Sequence, residues 1–535
     1  MEREILASIG DNKYKVDLGS MTKSSFESIF ESNNDIEEFD IWMEIENDDD
    51  LEKLKRLFNE KGANVKKLTW ANWSKYTLST ADLSAMINCL PQLKFVQFSS
   101  WHTELTGEVA VESLELANLC CVDINECGNF IFDFLSAALP DNKLKCLKVK
   151  GVSEVDAKFS TFIKKQQTLK QLEICNGDFN TLDSLKDLKL ESLRCILIER
   201  KDETDSQRTF LTELIKSQTE LKSLDLLNDM DYSFCFVDDS VFAEICALSQ
   251  LESLLINVDE ISVDGIKSIS NLTSLKNVEF KTNRDRALPV FQEFSSLKNT
   301  TLENLVLRLW SFDIPAETYT ALGANYENLK SLRITLGTRH KISFFVGAFT
   351  NLESLSIKFG EANNPVEFSN VFDGDEDVKN SNLKKLRLDF WGSEMVDSNK
   401  FFKFLEIFEN LESLEIKTKL PFCTEFVNQL AEKLNTIKVL KLVSFAISND
   451  EVFGAEICDA FKQLRSKLRY ANLTFLNLQQ HDFGQELGEG EQGVSRAFTF
   501  DPFVEALKGV YTAKEYGFAN IRIHNNLILT AGDEE

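Results

Sequence analysis

The sequence predicts an α/β protein built from one repeated unit, in which a short strand is followed by a helix and the strands stack as a parallel sheet. An apolar triplet with the spacing apolar-x-x-apolar-x-apolar recurs seventeen times along the chain. From Ile36 to Leu473 the first residues of these triplets are separated by a mean period of about 27 residues, which is typical of a solenoid. The intervening segments, about twenty residues each, have mostly the apolar spacing of amphipathic helices.

Each triplet predicts a strand, because its last two apolar residues are two apart and therefore lie on one face. A single strand of this kind cannot bury its apolar side, so neighbouring copies must stack and share a core. The clean triplets begin at Leu144, Leu169, Leu221, Leu251, Leu302, Leu329, Leu352, Leu383, Leu411, Ile437 and Leu473. Weaker triplets begin at Ile36, Val65, Leu93, Val111, Leu190 and Leu275.

Helices are expected between the triplets. Ser79 precedes one of them as a capping residue, and Pro315 and Pro421 fall at first-turn positions, where the missing N–H group has no effect. The predicted helical segments are 51–58, 83–90, 130–139, 210–215, 401–408 and 426–434.

On these residues the chain resembles leucine-rich-repeat proteins, and its long period with a helix in each unit is similar to the ribonuclease-inhibitor-like class. The resemblance implies a horseshoe-shaped solenoid of about 17 repeats, with a parallel concave β-sheet and convex helices. The polar residue that usually follows the strand in this family is mostly replaced by aromatic residues and glycine, so packed rings and glycine turns are expected there. Examples are Trp73, Trp101, Trp310, Trp391, Gly177, Gly337 and Gly360.

Four segments are predicted along the chain, and no Pro/Gly/Ser-rich linker divides the central one. Residues 1–35 are interpreted as an N-terminal cap, because a solenoid must cover its apolar ends. Residues 36–480 form the solenoid and 481–500 an acidic, glycine-rich loop. Residues 501–535 form a C-terminal cap with final strands at 521–523 and 527–529.

Composition and charge limit the classes of partner and the cellular compartment that are expected for the protein. The net charge of −27 argues against binding to nucleic acid or to an anionic membrane, because phosphate would be repelled. The eleven cysteines form no metal-binding or disulfide pattern, which favours buried thiols in a reducing compartment. No secretory signal or spanning segment is recognisable. A cytoplasmic protein is expected, with association to the cytoskeleton or a cilium left open.

Motifs for catalysis or cofactors are unconvincing. Gly488, Gly490 and Gly493 match a dinucleotide-binding spacing, but glutamates surround them, so a flexible acidic loop is the better interpretation. The run beginning at Asp373 resembles a calcium loop but has Lys384 at its twelfth position. The four histidines are scattered. We therefore expect no enzyme, no cofactor and no metal, and a hydrolase using the acidic loops is the least favoured alternative.

A partner-binding strip is predicted from the residues beside the apolar strand positions, which point away from the core. In the early repeats these are mostly acidic: Asp40, Glu115, Lys148, Glu173, Arg194 and Asp225. In the late repeats they are Arg308, Arg333, Lys358, Arg387, Lys417 and Lys441, the basic strip, with Asp389 and Glu415 beside them. Strands about 4.8 Å apart would make the strip about 25 Å long, with Trp310 and Trp391 at its edge. The alternative is that these cations only neutralise neighbouring carboxylates.

The sequence thus predicts a non-enzymatic scaffold or adaptor that binds protein partners of unknown identity, and the basic strip predicts an acidic one. The alternatives are a structural subunit of a cytoskeletal or ciliary assembly, an inhibitor or regulator of a partner enzyme, and a ubiquitin-ligase substrate receptor. The oligomeric state is left open.

Overall fold

The computed structural model describes the chain in segments, and its contacts divide it into two compact units, Met1–Leu275 and Lys276–Glu535. Each unit is described by itself. The described residues are 15–17, 36–42, 45–72, 76–102, 105–106, 116, 118–151, 157–177, 179–197, 204–227, 237–282, 287–309, 314–336, 347–359, 380–390, 398–417, 426, 428–430, 437–447, 470–477, 519–524 and 527–531.

In the first unit, ten strands within the described segments pair in parallel, each with the next along the chain. They are β1 (Lys15–Asp17), β2 (Glu38–Ile41), β3 (Lys67–Ala71), β4 (Phe95–Ser99), β5 (Cys121–Asn125), β6 (Cys146–Lys150), β7 (Gln171–Gly177), β8 (Ser192–Leu197), β9 (Ser223–Asp225) and β10 (Ser253–Asn257). The helices in the described part of this unit are α1 (Asp48–Lys61), α2 (Thr80–Asn88), α3 (Phe130–Ala138), α4 (Ala157–Lys164), α5 (Thr204–Ser217), α6 (Asp239–Cys246) and α7 (Val263–Ile266), with 3₁₀ turns at Gly62–Asn64, Phe179–Asp187 and Lys267–Asn271.

The parts of the second unit that the structure describes contain nine parallel strands in chain order, and a last strand pairs antiparallel to the ninth. They are β11 (Asn277–Thr282), β12 (Asn304–Leu309), β13 (Ser331–Leu336), β14 (Ser354–Phe359), β15 (Lys385–Phe390), β16 (Ser413–Lys417), β17 (Val439–Ile447), β18 (Tyr470–Asn477), β19 (Ala519–His524) and β20 (Leu527–Ala531). Among its described residues the helices are α8 (Leu288–Ser296), α9 (Ala316–Asn325) and α10 (Ser398–Leu405).

The apolar triplets form the core between the sheet and the helices. Leu329, Leu332 and Ile334 are at most 2% exposed. The described side chains of the other clean triplets are buried in the same way, except for Leu226, which is half-buried while the adjacent Leu227 is buried. In the first unit, the ring of Phe58 on α1 packs 5.4 Å from that of Phe39 on β2. In the second, Phe294 on α8 lies 5.1 Å from Phe280 on β11. The helices therefore cover the triplet side of each sheet, and we call the opposite side the open face.

This architecture confirms the predicted leucine-rich-repeat fold, since one strand occurs in each repeat and all but the last pair in parallel. Ser79 caps α2 by accepting a hydrogen bond from the amide of Asp82 at 3.0 Å. Pro315 is at the N-cap of α9. Pro421 lies outside the described residues.

Two triplets were placed wrongly. β4 pairs directly with β5, whose core residues are Val122 and Ile124, so the triplet of that repeat begins at Leu119 and not at Val111. Near the C-terminus, Leu473 pairs with Leu442 and so has the last position of its triplet, not the first. In both places the leucine pattern is degenerate and the spacing fits two frames.

Amide side chains join successive repeats at the start of the strands, a feature that the sequence analysis missed. Four asparagines that directly precede the first leucine of a triplet donate to a carbonyl of the previous repeat, over 2.6 to 2.9 Å. They are Asn328, Asn351, Asn382 and Asn410.

At the other end of the strands, the predicted aromatic substitution is seen at Trp101. This ring is 1% exposed and its indole N–H donates to the carbonyl of Trp70 at 3.0 Å.

Candidate partner-binding site

The basic strip lies on the open face of the second unit, and strand register separates it into two rows. The first row holds the residue between the last two apolar positions of each triplet, and the second row holds the residue after them. Arg333 and Arg387 belong to the first row, with Ser356 between them. The expected single ladder is thus replaced by two parallel rows. Lys441 continues the first row, and Arg308, Lys358 and Lys417 are in the second.

The cations alternate between the two rows, one on each strand from β12 to β17. Arg308 is in the second row on β12, Arg333 in the first on β13, Lys358 in the second on β14 and Arg387 in the first on β15. Successive strands are about 4.8 Å apart, and rows two residues apart are separated by about 6.6 Å. The result is a zigzag of positive charge that crosses the strands.

Three of these cations contact carboxylates on neighbouring strands. Nε of Arg308 lies 2.5 Å from Oε1 of Glu279, and Nη1 of Arg387 lies 3.3 Å from Oε1 of Glu415. Nζ of Lys417 is 3.8 Å from Oδ2 of the buried Asp389. Neutralisation by neighbours, the alternative interpretation of the strip, thus accounts for part of it. Sequence reasoning missed Glu279, although it has the first-row position of its own triplet, on β11.

Arg333 differs from its neighbours. Its flanking first-row residues are Val306 and Ser356, and Thr335 follows it in the second row, so all three are uncharged. The side chain is exposed. Within the described residues no carboxylate lies within ion-pair distance of it. Arg333 is therefore an exposed cation whose charge no carboxylate among the described residues offsets, and which is available to a partner.

Some predicted residues cannot be assigned a place at the site. Trp310, Trp391 and Glu115 lie outside the described residues, and of Lys441 only the backbone is described. The contribution of the two tryptophans stays a prediction.

The open face of the first unit carries a network of opposite charges centred on Glu173. Its carboxylate is 3.1 Å from Nζ of Lys150, 3.2 Å from Nη1 of Arg194 and 3.6 Å from Nζ of Lys148. Arg194 also contacts Asp225, at 3.2 Å. Burial acts to raise the pKa of Glu173, but the three cations outweigh it and hold the pKa below its usual value. The sequence analysis placed Lys148, Glu173, Arg194 and Asp225 on this face, but it missed Lys150 and did not predict that these charges pair.

A groove of about 410 Å³ is lined by this network and by the apolar Leu255. In the described segments, no group of three histidine, cysteine or acidic residues could hold a metal ion. Among the helices assigned in these segments, none is long and apolar enough to cross a lipid bilayer.

No protein-family model matches the sequence, and no curated protein matches it either. Solved structures are similar at low identity. TLR13 in a complex with ssRNA13 is 17% identical with a TM-score of 0.46, and the match covers 85% of this chain and 61% of that one. A chain of the Rad7 and Elc1 complex from yeast is 16% identical with a TM-score of 0.38, and the match covers 75% of this chain and 84% of that one. A chain of the mouse RP105/MD-1 complex is 13% identical with a TM-score of 0.39, and the match covers 83% of this chain and 80% of that one. These similarities carry no functional argument, and this chain spans less than two thirds of the TLR13 chain.

Proposed function

We propose that the protein is a non-enzymatic scaffold or adaptor, and that the open face of its second unit docks an acidic surface of a protein partner. The observation that carries the proposal is Arg333, an exposed cation of the zigzag whose neighbours in the two rows, Val306, Ser356 and Thr335, are uncharged. The chain as a whole has a net charge of −27, so this face has the opposite sign to the average surface. Such a contrast attracts an acidic partner to one place and repels it elsewhere.

The ion pairs of the strip are compatible with this role. A guanidinium group has five N–H donors and an ammonium group has three, so one carboxylate contact leaves donors for a ligand. The contacts from Glu279 to Arg308 and from Glu415 to Arg387 also restrict the side chains, which reduces the entropy lost on binding. A cytoplasmic location remains part of the proposal, and it is supported by the free thiols among the described cysteines.

Charge reversal tests the proposal. The double variant Arg333→Glu and Arg387→Glu, used as bait in a pull-down from native extract with quantitative mass spectrometry, should lose the partners that the wild type captures. Its thermal stability should stay within a few degrees, because exposed charges contribute at most about 1 kcal/mol each.

The matched control is Lys216→Glu with Lys267→Glu, which makes the same change in net charge on exposed side chains of the first unit. This control should retain the partners. If the Arg333 and Arg387 double variant captures them as well as the wild type does, the open face of the second unit is not the binding site.

A further inference from the structure

The spacing of the zigzag has a geometric consequence for the shape of what binds there. We propose that the occupant is an acidic α-helix of a protein partner, which lies across the strands and carries carboxylates at positions i, i+3, i+7 and i+10. This inference rests on the proposed function, because it takes the open face of the second unit as the docking surface. It adds the secondary structure, the orientation and the spacing of the partner segment.

The length along the strip matches a helix. Arg308, Arg333, Lys358 and Arg387 occupy four successive strands, so the first and last are about 14 Å apart in the direction across the sheet. In an α-helix the rise of about 1.5 Å per residue separates positions i and i+10 by about 15 Å. Four carboxylates at this spacing therefore face four strands in turn.

The alternation between rows matches as well. Residues i and i+3 of a helix are rotated by about 60° from each other, and i+7 returns almost to the direction of i. Their side chains thus alternate between two sides of a stripe, as the cations alternate between the first and second rows. The helical repeat of seven residues rises about 10.5 Å, and the zigzag repeats every two strands, at about 9.6 Å.

An extended segment does not fit the same pattern. Its side chains alternate every residue, so those on one side recur at about 6.6 Å, against the zigzag repeat of about 9.6 Å. After two or three residues the carboxylates would face the wrong row. Charge complementarity alone admits either shape, and the register of the cations selects the helix.

Synthetic peptides can test this directly by fluorescence anisotropy with the full-length protein. The first is an alanine-rich peptide of about 20 residues with glutamates at i, i+3, i+7 and i+10, long enough to form a helix in isolation. The second has the same composition and a helicity matched by circular dichroism, but its glutamates are distributed around the helix. The third is an extended peptide in which glutamate alternates with threonine, four glutamates in all.

The first peptide should bind about tenfold more tightly than either of the others. A single exposed ion pair is weak, and the binding free energies of several pairs add only when the peptide can form them at the same time. This advantage should disappear in Arg333→Glu and be kept in Lys216→Glu. Equal binding of all three peptides, or preference for the extended one, would overturn the helix proposal while leaving an acidic partner in place. Absence of binding by any peptide, together with unchanged partner capture by the charge-reversal variant, would refute the proposed function itself.

Discussion

Gln166 provides the sharpest test of how the repeats are held together. Its side chain is fully buried, its Oε1 accepts hydrogen bonds from the amides of Lys143 and Leu144 at 2.9 Å, and its Nε2 donates to the carbonyl of Pro140 at 3.1 Å. The amide thus joins the end of one helical segment to the turn before the preceding strand. Replacing it by leucine keeps the approximate volume and removes all three bonds.

The expected loss is large because the partners remain where they are. A buried polar group without a hydrogen bond costs about 1–3 kcal/mol, and three groups are affected. Leucine regains part of this by burying apolar surface, and the region around Lys143 is only partly buried, so water can reach it. We expect Gln166→Leu to lower the free energy of unfolding by about 3–5 kcal/mol.

Urea unfolding followed by circular dichroism measures this difference, and hydrogen exchange with mass spectrometry locates it. The amides of Lys143 and Leu144 should lose protection in the variant. The matched control is Gln167→Leu, the adjacent and exposed glutamine, which should change the unfolding free energy by less than about 0.5 kcal/mol. If the two variants are equally stable, buried amides do not hold the repeats together and the argument is wrong.

Two further predictions concern the half-buried Glu173 and the buried Leu332. Glu173→Gln should destabilise the protein at pH 7 by about 1–3 kcal/mol, because three cations lose their carboxylate. Since its pKa is lowered in the folded state, the wild-type carboxylate stabilises above the unfolded pKa and stops doing so as the pH falls through the folded value. The difference between wild type and variant in urea unfolding should therefore shrink towards pH 3; a difference independent of pH would contradict this. Leu332→Ala should lower the unfolding free energy by about 2–5 kcal/mol, against less than 1 kcal/mol for the outward Thr335→Ala, and similar losses would place Leu332 outside the core.

The core was predictable because burial constrains three residues in each repeat. Where these are leucines, as at Leu329 and Leu332, spacing alone gave the strand. At Leu119 the following core residues are Val122 and Ile124, and the nearby Val111 frame looked equally apolar. Period and hydrophobicity could not choose between two frames about eight residues apart, because both would bury similar surface.

The site was predictable in its charges and not in its contacts. The outward positions follow from the strand period of two, so Arg333 and Arg387 could be placed on the open face. Whether a cation forms an ion pair depends on the residues opposite and diagonal to it on the neighbouring strands, which are known only once the register is fixed. The asparagines that bond to the previous repeat are visible in the sequence, since Asn-Leu recurs at Asn328, Asn351, Asn382 and Asn410. It was overlooked because the family pattern directs attention to the other end of the strand.

The composition of the open face of the second unit is the reason for proposing that its charge serves binding. From β12 to β17 the two rows have twelve positions, and six of them are Lys or Arg. At the overall frequency of 59 such residues in 535, twelve positions would hold about one. Like charges on neighbouring strands repel each other, so the fold gains nothing from collecting them. The carboxylates at Glu279, Asp389 and Glu415 offset only part of this repulsion. A negatively charged occupant would remove the rest, which is why the partner is expected on this face.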